Sequence, residues 1–203
     1  SSNPFYENVP AIVEEYMNEL SKITGRSHGL FDYYGAKDAE RVIIAMGSVT
    51  EAAREAIDYL QSKGEKVGMV SVHLYRPFSA KHFIAALPKS AKRIAVLDRT
   101  KEPGANGEPL YLDVKDVLYG QENPPLVVGG RYGLGSKDTT PAQILSVFEN
   151  LSLSQPKNQF TIGIVDDITF TSLPVKEEIA LDGAGMFEAK FYGLGADGTV
   201  GAN

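Results

Sequence analysis

The sequence predicts an α/β fold, a mostly parallel sheet with helices packed on both of its faces. Three observations predict it. Short, largely apolar segments recur at residues 42–46, 66–72, 94–97 and 126–128, the first of them continuously apolar, the pattern of strands buried on both sides. Between them, apolar residues return every three or four positions, which is the helical period. Glycine, proline and capping residues mark the transitions, so strands and helices alternate, as parallel βαβ units require.

Each element has its own local reason. After Pro4 and Pro10, Ile12, Val13, Tyr16, Met17 and Leu20 trace a helical face that ends near Gly25. Residues 30–34 form a short strand closed by Gly35. The run Val42, Ile43, Ile44, Ala45, Met46 is the first buried strand, and Gly47-Ser48 turns the chain. Ser48 and Glu51 have the spacing of a capping box for a helix with Val49, Ala52, Ala53, Ala56, Ile57 and Leu60 on one face, ended by Gly64. The second buried strand, residues 66–72, leads to a helix with Ser79 as N-cap, bearing Phe83, Ile84 and Leu87 and stopped by Pro88. The third strand runs to Asp98-Arg99. A loop over residues 101–107 precedes a helix at 110–119, with Gly120 beyond it. The fourth strand enters a glycine-rich stretch, residues 129–135. Thr140-Pro141 then starts a helix carrying Ile144, Leu145, Val147 and Phe148. Residues 160–165 are a further strand candidate, residues 171–185 a linker, and residues 187–192 a last strand leading into a glycine-rich turn.

Composition limits the class of function. The 203 residues are 43% hydrophobic and 23% charged, ordinary for a globular protein. A formal net charge of −6 argues against nucleic acid as the main partner, which calls for a basic patch. With no cysteine there are no disulfides, thiolate zinc sites or cluster ligands, and three scattered histidines do not suggest a metal site. No apolar run reaches the ~20 residues that span a bilayer, and no signal peptide pattern opens the chain. The expected compartment is the cytoplasm. A start without Met, and an end inside a glycine-rich turn, lead us to expect a piece of a longer polypeptide.

Several groups are candidates for chemistry. Gly193, Gly195 and Gly198 have the GxGxxG spacing after a strand, where backbone amides can approach a phosphate; the alternative is a tight turn with no ligand. Arg131 and Lys137 belong to a second glycine-rich loop that suits a domain contact better than a dinucleotide. The ends of the first four core strands supply Ser48, His73, Arg76, Asp98, Arg99, Lys101 and Arg131, where ligands of parallel sheets collect. Against this basic excess as an anion site stands an interdomain interface, where arginine is common. His73 and Asp98 are a conceivable base and orienter. Asp166 and Asp167 are conceivable metal ligands, or a solvated strand end. Tyr111, Tyr119 and Phe148 read as packing residues.

Many stretches, in order, resemble the pyruvate:ferredoxin (flavodoxin) oxidoreductase family, also called pyruvate synthase. They include Leu30-Phe31-Asp32-Tyr33-Tyr34-Gly35, Leu74-Tyr75-Arg76-Pro77-Phe78, Leu97-Asp98-Arg99-Thr100-Lys101-Glu102-Pro103-Gly104, Gly130-Arg131-Tyr132-Gly133-Leu134-Gly135-Ser136-Lys137, and the run from Phe191 to Asn203. The resemblance spans essentially the whole chain. It implies an intact enzyme that oxidatively decarboxylates pyruvate on thiamine diphosphate with Mg. It also implies electron transfer through [4Fe–4S] clusters to ferredoxin or flavodoxin, coenzyme A as acetyl acceptor, and a homodimer. It implies further that those cofactors are held by other domains. By the same resemblance, residues 1–28 are a linker and helix, residues 29–182 a structural, non-catalytic domain like the C-terminal domain of transketolase, and residues 183–203 the start of a next domain associated with coenzyme A. This makes Gly193, Gly195, Gly198, Thr199, Gly201 and Asn203 the candidate cofactor-binding residues, with no catalytic residue or metal ligand in the chain. His73 departs from the family pattern, where a basic residue is expected. Two alternatives stand beside this reading: a free-standing phosphate- or nucleotide-binding module, and the C-terminal domain of a transketolase-like thiamine enzyme.

Overall fold

The computed structural model describes residues 2–176 and Ile179. The expected strand at 187–192, the terminal glycine-rich turn and most of the expected linker lie outside the described residues. Six strands form one sheet: β1 (Phe31–Gly35), β2 (Arg41–Ala45), β3 (Val67–Val72), β4 (Arg93–Asp98), β5 (Leu126–Arg131) and β6 (Phe160–Thr161). The helices are α1 (Asn3–Thr24), α2 (Val49–Ser62), α3 (Ala80–Ala86), α4 (Pro109–Tyr119) and α5 (Pro141–Ser152). The strand order is β1-β3-β2-β4-β5-β6. Every pairing is parallel except β1 with β3. Only residues 36–40 separate β1 from β2. That is too short for a parallel crossover, which needs about a dozen residues or more, so the chain reverses and β1 becomes an antiparallel edge.

Alternation along the strands divides the core into two layers. Ile43, Ala45, Met69, Ala95 and Leu97 face α2 and α5, meeting Ala53, Ala56, Ile57, Ile144, Val147, Phe148 and Leu151. Val42, Ile44, Val70, Ile94 and Val96 face the opposite way, toward Phe83 of α3 and Leu110 and Val114 of α4. Each fully buried aliphatic or aromatic side chain contributes about 1.5–3 kcal/mol of transfer free energy, so a sheet covered on both faces provides the main driving force. Phe31, Phe78 and Phe83 close one end of the second layer with ring centroids 5.3–5.7 Å apart, Phe31 edge-on to the other two and those two tilted to each other.

The helix starts show how local chemistry works out. At α5, Thr140 Oγ1 accepts from the Gln143 amide, and the Thr140 amide donates to Gln143 Oε1, both at 3.3 Å, with Pro141 in the first turn. The capping box expected of Ser48 and Glu51 does not form. Ser48 already has helical angles (φ −62°, ψ −22°), so its carbonyl, not its hydroxyl, accepts from the Glu51 amide. Ser79 does occupy the N-cap position of α3, but its hydroxyl pairs with His82 Nδ1 at 2.6 Å. The strand expected over 160–165 is shorter than its apolar run, because Gly163 turns the chain at φ 68°. Residues 171–173, assigned to a linker, instead run beside β6, where the Thr161 amide donates to Thr171 O (3.1 Å) and the Leu173 amide to Thr161 O (2.9 Å). Gly130 lets β6 approach, since a Cβ there would overlap the Phe160 ring. Tyr111 and Phe148 are buried as expected of packing residues; Tyr119 is not, because it lies at the solvent side of the last turn of α4.

The chain leaves β2 toward β3 on one side and returns past it to β4 on the other. The segments after β2 and β4 therefore diverge, and a crevice opens between their C-terminal ends. Open α/β sheets place ligands at such points.

Candidate functional site

The crevice is lined by Ser48 and Val49 after β2, Arg99 after β4, and Tyr132, Gly133, Lys137, Asp138 and Thr139 after β5, around a cavity of ≈ 320 Å³. Arg99 Nε donates to Gly133 O at 3.2 Å, which turns the guanidinium along the rim. The Tyr132 hydroxyl donates to Met46 O at 3.3 Å and floors the crevice. Burial pushes the pKa of this phenol up, so it stays protonated and remains a donor. Two cations, one carboxylate (Asp138) and three hydroxyls (Ser48, Tyr132 and Thr139) surround the cavity, a set suited to contact and lacking a nucleophile held against a base.

The strand-end residues singled out by sequence divide sharply. Asp98 and Arg131 face inward and are committed to the fold. Asp98 Oδ1 accepts from the Leu110 amide (3.0 Å) and Oδ2 from the Tyr111 amide (3.1 Å). These are the second and third amides of α4; Pro109 at the first position has none, and the Leu112 amide reaches Glu108 O. Every orphan donor at that helix start is thereby accounted for. Burial raises the pKa of Asp98, with the two amides acting in the opposite direction. Beside it, Arg131 Nη1 donates to Glu108 Oε1 at 3.1 Å, both side chains being almost wholly enclosed, and Arg131 Nη2 donates to Gln159 O at 3.1 Å.

The remaining candidates lie apart. His73 Nε2 is 3.2 Å from Asp32 Oδ2 at the β1–β3 edge, so the base-and-orienter pairing of His73 with Asp98 is not formed. Arg76 donates to Asp113 Oδ2 at 2.6 Å and lies over the Tyr75 ring, 3.9 Å from its centroid. Lys101 is exposed in its loop. Asp166 is engaged within its own loop. Its carboxylate accepts from the amides of Ile168, Thr169 and Thr171 and from both threonine hydroxyls, which hold its pKa well below the ordinary aspartate value. Asp167 makes no such cluster with it, and no group of three or more His, Cys, Asp or Glu suited to a metal occurs among the described residues. Gly193, Gly195, Gly198, Thr199, Gly201 and Asn203 lie outside the described residues.

Sequence reasoning missed two features. Tyr132 and Thr139 complete the crevice; their place after a core strand was the available signal. Ser79, His82 and Glu14 line up as hydroxyl, imidazole and carboxylate, with His82 Nε2 3.5 Å from Glu14 Oε1. None of the three lines the crevice. Ser79 and His82 share one helical turn, but Glu14 comes from α1, and nothing in the sequence announces that approach.

The family model for pyruvate:ferredoxin oxidoreductase core domain II matches residues 39–144. Along its whole length the chain is 57% identical to the pyruvate-flavodoxin oxidoreductase of Enterobacter agglomerans and 57% identical to the pyruvate:ferredoxin oxidoreductase of Moorella thermoacetica. It is 51% identical to a probable pyruvate-flavodoxin oxidoreductase of Escherichia coli. The chain spans only 17–18% of the length of these relatives. A solved 2-oxoglutarate:ferredoxin oxidoreductase from Magnetococcus marinus, with 2-oxoglutarate, coenzyme A and succinyl-CoA bound, aligns over 64% of this chain and 20% of its own at 18% identity, with a TM-score of 0.42.

The enclosed pair makes a direct prediction. Removing one partner of a buried ion pair strands the other charge, so Glu108→Leu alone should cost about 3–5 kcal/mol in urea unfolding. Adding Arg131→Met should recover part of that loss. A double variant as unstable as the sum of the two single variants would show that the pair is not coupled.

Proposed function

Because the chain belongs to the pyruvate:ferredoxin oxidoreductase core domain II family, we propose that it serves a pyruvate:ferredoxin or pyruvate:flavodoxin oxidoreductase as a structural, non-catalytic domain. The observation that carries this reading is the fate of the strand-end acids and bases. Asp98 caps α4, Arg131 is closed against Glu108, and His73 and Arg76 pair with surface carboxylates. The groups left to the crevice hold a rim and do no proton chemistry. Residues 29–182 are read as this domain and residues 183–203 as the start of the next.

In this reading the intact enzyme oxidatively decarboxylates pyruvate. Thiamine diphosphate with Mg supplies the electron sink for decarboxylation when bound, [4Fe–4S] clusters carry electrons to ferredoxin or flavodoxin, and coenzyme A takes the acetyl group. The chain contains no cysteine, so thiolate ligands for clusters come from elsewhere in the longer polypeptide. The reading includes a homodimer and a cytoplasmic location. Gly193, Gly195, Gly198, Thr199, Gly201 and Asn203 are proposed to contribute backbone amides and side chains to a coenzyme A or phosphate subsite that is complete only in the intact enzyme.

Two measurements test this. In the intact enzyme, Arg99→Gln combined with Lys137→Gln should leave kcat for pyruvate oxidation within about twofold. A loss of about 100-fold or more with the fold retained would make the crevice catalytic and sink the reading. Calorimetric titration of coenzyme A into the 203-residue chain should give no heat at millimolar concentration. Heat that disappears on Gly195→Val would show the terminal turn to be a ligand site by itself.

A further inference from the structure

Of the five α-helices among the described residues, α1 alone buries no side chain. It is 22 residues long. Its apolar residues form one broad face, of which only one edge meets the core. Val13 and Met17, half-buried, pack against the second core layer, and Glu14 reaches His82 on the same side. Phe5, Ile12, Tyr16, Leu20 and Ile23 continue that face away from the core. At about 100° per residue they fall within an arc about 80° wide, one continuous stripe. They are 77%, 50%, 68%, 45% and 83% exposed.

Single exposed apolar residues are ordinary, but five large ones aligned along one helix form a contact surface. Spacings of three, four and seven along such a stripe are what a second helix engages. The charge around it narrows the occupant. Four glutamates (Glu7, Glu14, Glu15, Glu19) face one lysine (Lys22) within α1. Glu15 and Glu19 border one edge of the stripe and make no ion pair among the described residues. A second copy of α1 would bring the same acidic edge against them. The curated relatives, meanwhile, carry more than four-fifths of their length outside the matched segment, since the chain spans 17% of them.

We propose that the outer face of α1 seats an amphipathic helix from the remaining part of the same polypeptide, apolar at the contact and bearing lysine or arginine along the edge that meets Glu15 and Glu19. The proposal rests on the reading of this chain as one domain of a longer enzyme, and adds where the rest of that enzyme holds it.

The test uses the native protein. A native polypeptide no longer than this chain overturns the domain reading and this proposal together. In a longer one, hydrogen exchange of the intact enzyme isolates the seam. Ile12→Asp with Tyr16→Asp should speed exchange of the α1 amides by about 100-fold while β2, β3 and β4 keep their protection. Glu15→Lys with Glu19→Lys, which leaves the apolar stripe intact, should speed them by a smaller factor that shrinks at high salt. Exchange of α1 unchanged by either pair overturns the seam and leaves the domain reading standing. So does sedimentation of the wild-type chain as a dimer that Tyr16→Asp dissociates, because the occupant is then a second copy.

Discussion

The structure depends on one carboxylate. Asp98 ends the strand next to the center of the sheet and caps a helix that starts at Pro109, taking the amides of Leu110 and Tyr111 that follow it. Hydrogen bonds to a charged acceptor contribute about 1.5–3 kcal/mol each, and leaving the donors buried and unpaired costs a similar amount. The same corner holds the Arg131–Glu108 pair. Through Arg131 it ties β5 to the first turn of α4 and to the turn entering β6. Four elements thus meet in one polar knot between two apolar layers. A buried ion pair is weak evidence for net stability. Here it joins β5 to the start of α4, beside the Asp98 carboxylate that joins β4 to the same helix.

That knot decides what the strand ends can do. In many α/β folds these ends are where chemistry collects, because carboxylates and basic groups there remain free to face a ligand. In this chain the inward-facing ones are bound by the fold, and the outward-facing ones, Arg99 and Lys137, sit on the rim of an open crevice. What the fold leaves open to solvent, among the described residues, includes that rim and the long apolar stripe of α1.

Much of this was legible in the sequence. The largely apolar runs marked all four buried strands, because a strand covered on both faces is mostly apolar; its few buried polar residues, such as Asp98 and Arg131, lie at strand ends where partners reach them. Thr140 and Pro141 identified the start of α5 because capping box and proline act within one turn. Local rules failed where distant contacts decide. Ser48 and Glu51 had the right spacing, but Ser48 was already drawn into the helix. Asp98 looked like a ligand residue because its partners, amides of α4, carry no sequence signal. The run at 160–165 looked like a full strand, but Gly163 and the segment at 171–173 shorten it. The stripe of α1 was readable as helix; that its outer half stays uncovered is a tertiary fact that no periodicity contains.

The claim that the strand-end acids serve the fold, not the reaction, is tested most directly by Asp98→Asn in the intact enzyme. The asparagine carbonyl can keep one amide, while its NH2 opposes the other. The account predicts a lower Tm, from a loss of about 1–3 kcal/mol, with kcat and the limbs of its pH profile unchanged at temperatures where the variant is folded. An unchanged Tm together with a loss of about 100-fold in kcat, or of one limb of the profile, would contradict it and make Asp98 a participant in the chemistry.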